Sequence, residues 1–450
     1  MSGPIAELVA AVRSGEVPAA ELIEAAIGGA ERSQAELNAF TFIDTDGARE
    51  RAASIDRMVE AGSDPGPLAG VPIGLKDLID QEGIPTTNGA AFEPEVPDRS
   101  ATVVTRLEDA GAVIIGRNGL HEFAYGFTSE NEHFGPVRNP WDTNLSPGGS
   151  SGGSGASVAA GVVAAAVGTD TGGSVRVPAA LCGVVGLKVT YGRVPLTGVT
   201  PLAPSLDTVG PIARSVADLT AMYRVMAGVD RSGEPSDPAT LRIGVPAQWN
   251  AAALDGATGA AFAEVLERIA STGASIEEVD APGLKITEVA AGAVSVEILE
   301  THRKRWPEHA DRYGADVARR LRDAEAVPRR YAQEVLGWDA EAQETLAGLF
   351  ASFDVLATPT VGSTRKVIGD PNIDIDGDAV FHRTVLSSYT WPVNRAGNPS
   401  LALPIPDSGA PPASLQLIGP RLGESRLLGI GIGLEGAGLV GVERPPIFFD

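Results

Sequence analysis

Two glycine- and serine-rich segments decide how this chain folds. Residues 146–154 read Ser-Pro-Gly-Gly-Ser-Ser-Gly-Gly-Ser, and residues 168–176 read Gly-Thr-Asp-Thr-Gly-Gly-Ser-Val-Arg. Ser150 and Ser174 each stand directly behind a pair of glycines. Further upstream, residues 71–77 read Val-Pro-Ile-Gly-Leu-Lys-Asp, which ends an apolar segment on a lysine. Together the three positions can supply a nucleophile, a relay and a base.

A flexible linker is the default interpretation of a stretch this rich in glycine and serine. Here the first segment opens directly into residues 158–167, which we expect to pack as a buried helix of small residues, and Asp170 and Arg176 bracket the second glycine pair. A phosphate-binding loop is also disfavoured, because the chain has no Gly-x-x-x-x-Gly-Lys-Ser/Thr and neither Gly148 nor Gly172 begins a Gly-x-Gly-x-x-Gly. The glycines therefore indicate a catalytic loop.

Acyl chemistry needs a nucleophile, a base within reach and backbone N–H donors aimed at the developing oxyanion. Gly172 and Gly173 lack a Cβ, so the main chain can turn until the N–H groups from Thr171 to Ser174 converge on one oxygen. Ser174 does not lie in the Gly-x-Ser-x-Gly elbow of the α/β hydrolases. The sequence therefore predicts an oxyanion hole at the nucleophile and a lysine as the base.

Lys76 can act as a base only if its amine loses a proton, so its pKa must fall below the reference value of about 10.4. The lysine ends an apolar segment, where burial has this effect. Asp77 follows directly, but consecutive strand residues point to opposite faces of a sheet. We expect a strand that presents Lys76 to a dry site.

Composition excludes several classes of function. The 450-residue chain carries a formal net charge of −23, which argues against nucleic acid or an anionic membrane surface as a partner. Its one cysteine, Cys182, rules out an internal disulfide framework and is expected to be inert. The histidines show no metal-ligand spacing, and residues 1–5 do not begin a secretory leader. We expect a cytosolic protein without a metal or other cofactor.

Hydrophobic periodicity predicts alternating helices and strands. Residues 1–65 form helices with apolar faces, 71–75 a strand, 103–110 a helix and 112–116 a buried strand. Such alternation favours an α/β sheet covered on both faces. No linker is long enough to divide the chain into independent domains.

The second half of the chain returns to the alternation of strands and helices after a longer helical segment. Residues 284–350 have a helical period and look like a helical excursion over the sheet. Five of its arginines are expected on solvated faces: Arg319, Arg320, Arg322, Arg329 and Arg330. Strands are predicted at 353–357, 400–403 and 414–417, and a final helix at 424–434.

At this point the residues resemble the amidase signature family. The resemblance runs from about Leu68 to Asp218. It is carried by Gly-Leu-Lys-Asp at 74–77, Glu-Phe-Ala at 122–124, Phe-Gly-Pro at 134–136, Arg-Asn-Pro-Trp at 138–141 and the block 147–188, with a weaker echo at 392–397 and 415–419. The lysine and both glycine–serine segments occur in the family's order and spacing.

The resemblance implies a single-domain α/β/α sandwich around a large mixed, twisted β-sheet that spans residues 1–450. Within it we expect N-terminal helices at 1–65 and the signature core at 66–218. The helical excursion at 284–350 would form part of the substrate pocket.

The resemblance also implies a Ser-cisSer-Lys triad. Ser174 would be the nucleophile, Ser150 the bridging serine after a cis peptide bond, and Lys76 the base. Residues that would hold the loops around them are Ser151, Thr169, Asp170 and Arg176. For Asp170 and Arg176, a purely structural ion pair is an equally good description.

The substrate is less well defined than the chemistry. The triad implies attack on an amide, and an ester or a carbamate presents a similar carbonyl. We rank aryl or alkyl amides first and carbamates (urethanes) second. Tyr125, Phe127 and Thr128 are candidates for the pocket wall, although plain core packing accounts equally well for the two aromatic residues. The expected partner is a small amide or carbamate, without nucleic acid or membrane, and members of the family are often dimers.

Within the family, the A subunits of tRNA-dependent amidotransferases are the main alternative, because they pass ammonia through an assembly of several subunits to an aminoacyl-tRNA. These proteins look to carry an aspartate, for the amino group of the substrate, shortly before the asparagine of a Pro-Val-Asn segment. Here, without an insertion or deletion, Ser387 takes that place. Residues 394–397 and 117–119 also depart from the usual pattern, which favours a self-sufficient amide hydrolase.

Overall fold

An eleven-stranded mixed sheet forms the centre of the computed structural model, which describes residues 3–230, 233–249 and 253–449. The strands in these residues are β1 (Phe40–Ile43), β2 (Pro72–Lys76), β3 (Val113–Asn118), β4 (Glu130–Asn131), β5 (Gly135–Pro136), β6 (Ala165–Asp170), β7 (Val185–Lys188), β8 (Thr208–Ala213), β9 (Arg242–Pro246), β10 (Ser275–Val279), β11 (Val355–Pro359), β12 (Asn372–Ile375), β13 (Asp378–Phe381), β14 (Ser400–Pro404) and β15 (Ser414–Ile418). The central sheet has the order β1-β3-β2-β6-β8-β7-β14-β15-β11-β9-β10.

Helices connect these strands and pack against the sheet. In the same described ranges the α-helices are α1 (Ile5–Ser14), α2 (Ala19–Leu37), α3 (Thr45–Glu60), α4 (Thr102–Asp109), α5 (Gly152–Ala159), α6 (Arg176–Cys182), α7 (Val216–Ala227), α8 (Gly256–Ser271), α9 (Glu288–Thr301), α10 (Ala315–Glu325), α11 (Tyr331–Leu349), α12 (His382–Ser387), α13 (Trp391–Ala396) and α14 (Glu424–Gly436). The prediction of an α/β fold around one large mixed sheet is confirmed.

Three parallel strands position the functional residues. β2 pairs in parallel with β3 on one side and with β6 on the other, and every residue of the three strands is buried. Strands covered on both faces are typically apolar along their whole length. The carboxyl ends of the three strands therefore meet at one edge of the sheet, where β2 ends on Lys76 and β6 leads into residues 171–176.

The prediction of a helix at 158–167 is wrong. The helix α5 begins earlier, at Gly152, and ends at Ala159, and the strand β6 begins at Ala165. Gly161 adopts a φ of 74°, a left-handed conformation that ends the helix region and that glycine adopts without strain. A run of alanine and valine is compatible with either element, so its composition does not reveal the turn.

The helical excursion at 284–350 contains α9, α10 and α11, as the periodicity predicts. α9 packs against both α10 and α11. One expectation within it is wrong, because Arg320 is only 5% exposed. The other four arginines of the group are exposed, as expected: Arg319, Arg322, Arg329 and Arg330.

Two short features were not predicted from the sequence. β1, within the N-terminal region expected to be helical, pairs antiparallel with β3 at the end of the sheet. β12 and β13 form a separate hairpin that leads into α12. In the described part of the chain no helix is long and apolar enough to cross a membrane. The sequence analysis expected no secretory leader at residues 1–5, and two of these residues, Met1 and Ser2, lie outside the described residues.

Replacing Gly116 with alanine should destabilise the protein, because the added Cβ would lie 2.3 Å from the Phe42 carbonyl oxygen in the neighbouring strand. Overpacking of this kind typically costs about 1–3 kcal/mol. The matched control is Gly337→Ala in α11, where an added Cβ meets nothing within 4 Å. Removing a helix-interior glycine should stabilise the protein by about 0.5–1 kcal/mol. Urea unfolding measures both changes, and equal stabilities would contradict the packing described for β3.

Candidate active site

The side chain of Lys76 lies at the carboxyl end of β2 and is completely buried. Its Nζ atom is 2.7 Å from Ser150 Oγ and 2.8 Å from Thr169 Oγ1. A buried amine with two hydroxyl partners is held in one position. The structure thus brings together the predicted base, the predicted relay and one of the predicted supporting residues.

Burial lowers the pKa of Lys76 to about 7, and the nearby carboxylates of Asp170 and Asp207 oppose this effect. The ordinary pKa of a lysine is about 10.4. A substantial share of Lys76 is therefore neutral near pH 7, which is what a lysine needs in order to accept a proton.

The peptide bond between Gly149 and Ser150 is cis, as the family resemblance implies. The carbonyl oxygen of Ser150 accepts hydrogen bonds from the His121 amide and the Ser129 hydroxyl. A Cβ on Gly149 would lie 2.7 Å from the Thr128 amide nitrogen, so the backbone approach requires glycine here. These contacts hold the backbone of Ser150, whose Oγ accepts the hydrogen bond from Lys76 Nζ.

Ser174 lies in the loop between β6 and α6 and is 3% exposed. Its carbonyl oxygen accepts a hydrogen bond of 3.3 Å from the Ser151 amide, which joins the two glycine-rich segments. The Ser151 hydroxyl also bonds the main chain of Thr169. A hydrogen bond between the hydroxyls of Ser150 and Ser174 does not occur among the described contacts. Their relay therefore stays a prediction.

The carboxylate of Asp170 organises the loop that carries Ser174. It accepts hydrogen bonds from the amides of Gly173 and Val175, from Asn394 Nδ2, and from both Nε and Nη2 of Arg176. Burial alone would raise the pKa of Asp170, but the Arg176 charge and these hydrogen bonds hold it well below its usual range. The carboxylate is therefore ionised throughout the working pH range.

One residue of the predicted oxyanion hole needs correction. The Gly173 amide donates to Asp170 at 2.9 Å, so it is not available to an oxyanion. Gly173 instead serves the turn, because its φ is 134° and an added Cβ would lie 2.4 Å from Thr390 Oγ1. The amides of Thr171, Gly172 and Ser174 stay the predicted donors.

Sequence reasoning missed three polar residues around this loop. Arg176 bonds Gln416 Oε1 at 2.7 Å and Asn394 Oδ1 at 2.5 Å, and both partners lie in the weaker family motifs. Asp207 accepts a hydrogen bond of 2.5 Å from the Thr171 hydroxyl and others from the amides of Leu202 and Ala203. Burial raises the pKa of Asp207 to about 6. Nothing in the local sequence distinguishes Asp207 from a surface aspartate.

A cavity opens beside Ser174. The residues that line it are Ala124, Tyr125, Gly126, Phe127, Thr171, Gly172, Ser174, Leu202, Val294, Ile298, Arg320, Arg383 and Trp391. Tyr125 and Phe127, two of the three candidates for the pocket wall, are among these residues, and their contact with a substrate stays a prediction. Thr128 does not line the cavity, and its hydroxyl lies 3.4 Å from His121 Nδ1.

Cys182 is buried elsewhere in α6, and burial raises the pKa of its thiol.

The α/β sheet with its buried lysine and serine residues indicates an enzyme, and comparison with known proteins shows which family it belongs to. A family model described as Amidase matches residues 21–428. The chain belongs to this family, the amidase signature family.

Relatives with different descriptions match nearly the whole chain. The A subunit of the glutamyl-tRNA(Gln) amidotransferase of Acidothermus cellulolyticus is 35% identical over 478 residues, which cover 96% of this chain and 93% of the relative. A solved structure described as an amidase has a TM-score of 0.90 at 31% identity and covers 97% of this chain and all of that one. A second solved structure, described as a vestigial complex that reveals the origins of an s-triazine catabolic enzyme, has a TM-score of 0.90 at 33% identity and covers 98% of this chain and all of that one.

The expectation of a small-molecule partner alone, without nucleic acid, is wrong. It rested on the net charge of the chain, yet relatives of similar length are subunits of an amidotransferase named for its tRNA. A negative net charge describes one chain and says nothing about the surface that several chains form together. The charge of this chain therefore gives no ground for excluding nucleic acid.

Activity should rise with pH through about 7, because protonated Lys76 cannot accept a proton. Below that value kcat/KM should fall about tenfold per pH unit. In Asp207→Asn the rise should move to lower pH, since the Asp207 carboxylate raises the pKa of Lys76. The measurement is the pH dependence of 4-nitroacetanilide hydrolysis, with Asp311→Asn on the surface as the control. A profile that is flat from pH 5 to 9 would contradict a lysine base.

Proposed function

We propose that this chain cleaves the C–N bond of an amide by acyl transfer through Ser174 and releases ammonia or an amine. The observation that carries the proposal is the buried Lys76, whose Nζ bonds Ser150 Oγ at 2.7 Å in the loop next to Ser174. A buried amine with a lowered pKa, a serine relay and a second serine at a cavity are the parts that acyl transfer needs.

The reaction begins when the Ser174 hydroxyl attacks the amide carbonyl. Its proton passes through the Ser150 hydroxyl to neutral Lys76, and the new oxyanion is stabilised by amides of the 171–174 loop. The relay returns the proton to the leaving nitrogen, the C–N bond breaks, and an acyl ester forms on Ser174. Water then attacks this ester, and the same relay restores the free serine and releases a carboxylic acid.

One setting for this reaction is a tRNA-dependent amidotransferase, in which this chain would be the A subunit. The similarity to such proteins, 35% identity over 96% of this chain, supports it. In this setting the ammonia released at Ser174 is passed on within an assembly of several subunits to an aminoacyl-tRNA. Partner subunits and tRNA would then be required for full activity.

A second setting is a self-sufficient hydrolase of small amides, with carbamates and esters as further substrates. Ser387 favours it, because the resemblance places an aspartate for the substrate's amino group at this position. The Ser387 hydroxyl instead donates to the Arg383 carbonyl within its own helix at 2.8 Å. A neutral hydroxyl engaged in this way offers no counter-charge to an ammonium group.

Ser174→Ala should lower the rate of amide hydrolysis by a factor of about 10³ or more, because no other group can form the acyl-enzyme. The assay follows ammonia from glutamine and 4-nitroaniline from 4-nitroacetanilide with the purified chain. Ser271→Ala, at the exposed end of α8, is the matched control and should keep the wild-type rate. An active Ser174→Ala protein would overturn the proposal.

The two settings differ in their dependence on partners. In the first, ammonia release from glutamine should rise at least tenfold when the chain is assayed in its native assembly with glutamyl-tRNA. In the second, the chain alone should turn over a small amide at the same rate with or without these additions. The comparison uses one preparation divided between the two assays.

A further inference from the structure

We propose that Thr390 is a positioning residue for the reaction at Ser174. Its hydroxyl would hold the peptide unit between Gly172 and Gly173 so that the neighbouring amides face the developing oxyanion. This role rests on the proposed hydrolysis through Ser174. Thr390 lies between α12 and α13, far along the chain from the loop that it contacts.

The peptide unit between Gly172 and Gly173 is held from both sides. The Gly172 carbonyl oxygen accepts a hydrogen bond of 2.7 Å from the Thr390 hydroxyl. The Gly173 amide donates a hydrogen bond of 2.9 Å to Asp170 Oδ1. In a trans peptide unit the C=O and N–H groups point in opposite directions. The two contacts therefore fix the plane of this unit.

A pair of glycines depends on such contacts for a fixed direction. Neither Gly172 nor Gly173 has a Cβ, so the main chain on both sides of the peptide unit can adopt many conformations. The Gly172 amide comes directly before the unit and the Ser174 amide directly after it, and both are predicted oxyanion donors. A rotation of the unit would turn both donors away from the oxygen that they stabilise.

The Thr390 hydroxyl does not cap its own helix. Thr390 is the N-cap residue of α13, a position at which a threonine commonly bonds a backbone amide of the first turn. Its side chain makes no such bond. The Ser387 carbonyl oxygen lies 3.3 Å from the hydroxyl, farther than the 2.7 Å to Gly172. Because a hydroxyl donates a single hydrogen, Gly172 is its main acceptor.

Burial makes the contact between Thr390 and Gly172 difficult to replace. Thr390 is completely buried. Within the described ranges, no second donor bonds the Gly172 carbonyl oxygen. Leaving a buried carbonyl without a donor costs free energy, and the loop can avoid this cost by turning the carbonyl elsewhere. Loss of the hydroxyl should therefore change the direction of the peptide unit.

The effect of Thr390 is separable from the other contacts of the loop. The Thr171 hydroxyl donates to Asp207 at 2.5 Å, and the Asp170 carboxylate accepts from the Val175 amide and the Arg176 guanidinium. None of these contacts includes Thr390. A change at Thr390 therefore alters the middle of the loop while groups on both sides of it stay bonded.

The test compares Thr390→Ser, which keeps the hydroxyl, with Thr390→Ala, which removes it. The rate of 4-nitroacetanilide hydrolysis is divided by the concentration of active sites, counted by titration of Ser174 with a fluorophosphonate. In Thr390→Ala, kcat per active site should fall at least about tenfold with little change in KM, because the oxyanion donors act in the transition state. Thr390→Ser should recover most of the lost rate.

Thr220→Ala is the matched control. It also removes a buried threonine hydroxyl that donates to a backbone carbonyl at 2.7 Å, in this case that of Val216 within α7. It should lower the stability in urea and leave kcat per active site unchanged. A role of Thr390 in folding alone would likewise reduce the number of active sites and not the rate at each. Thr390→Val, which removes the donor and keeps the side-chain volume, provides a second variant with the same expected loss of kcat.

A second measurement does not depend on amide hydrolysis. Ser174 Oγ displaces fluoride from the fluorophosphonate, and the phosphoryl oxygen uses the same donors, so the rate of this step should also fall at least about tenfold in Thr390→Ala. A protein that shows this fall but hydrolyses no amide would contradict the proposed hydrolysis only. Thr390→Ala and Thr390→Val proteins that keep the wild-type kcat per active site and the wild-type phosphonylation rate would overturn the role of Thr390 only.

Discussion

The buried carboxylate of Asp170 is the contact on which the rest of the site depends. It lies at the end of β6 and accepts hydrogen bonds from backbone amides of the loop that carries Ser174. It also accepts a hydrogen bond directly from Asn394 and reaches Gln416 through Arg176, and both residues belong to the C-terminal part of the chain. A buried charge is tolerated only when its partners are complete, so the loop and these distant segments must assemble together.

The residues of the predicted triad are easier to find in the sequence than the residues of the cavity wall. Ser150 and Ser174 stand out because each follows a pair of glycines. Lys76 stands out because a charged residue is unusual at the end of an apolar strand. Arg320 was expected on a solvated face, because a helical period shows which residues share a face but not what lies opposite that face. Asp207 was missed for the same reason, since its partners come from a turn and a loop that only the fold brings together.

Different parts of the chain hold the predicted catalytic residues and form the wall of the cavity. The parallel strands β2, β3 and β6 hold Lys76 and lead into the nucleophile loop, and their residues are buried without exception. The cavity wall comes largely from elsewhere, with Val294 and Ile298 on α9 and Arg320 on α10. Asp207 joins the two parts, because it holds Thr171 together with the turn at Leu202.

The attachment of α10 to the core has a consequence for how this enzyme could diversify. The helix is tied to the loop after β3 through Asp316, whose carboxylate lies 3.3 Å from His121 Nε2. Arg320 on α10 and Arg383 on α12 line the cavity beside Ser174, whereas Lys76 lies on the buried strand β2, so a substitution on either helix changes the cavity wall and leaves that strand in place. The shape and charge of the cavity can therefore change over evolution while the strand that holds Lys76 stays the same.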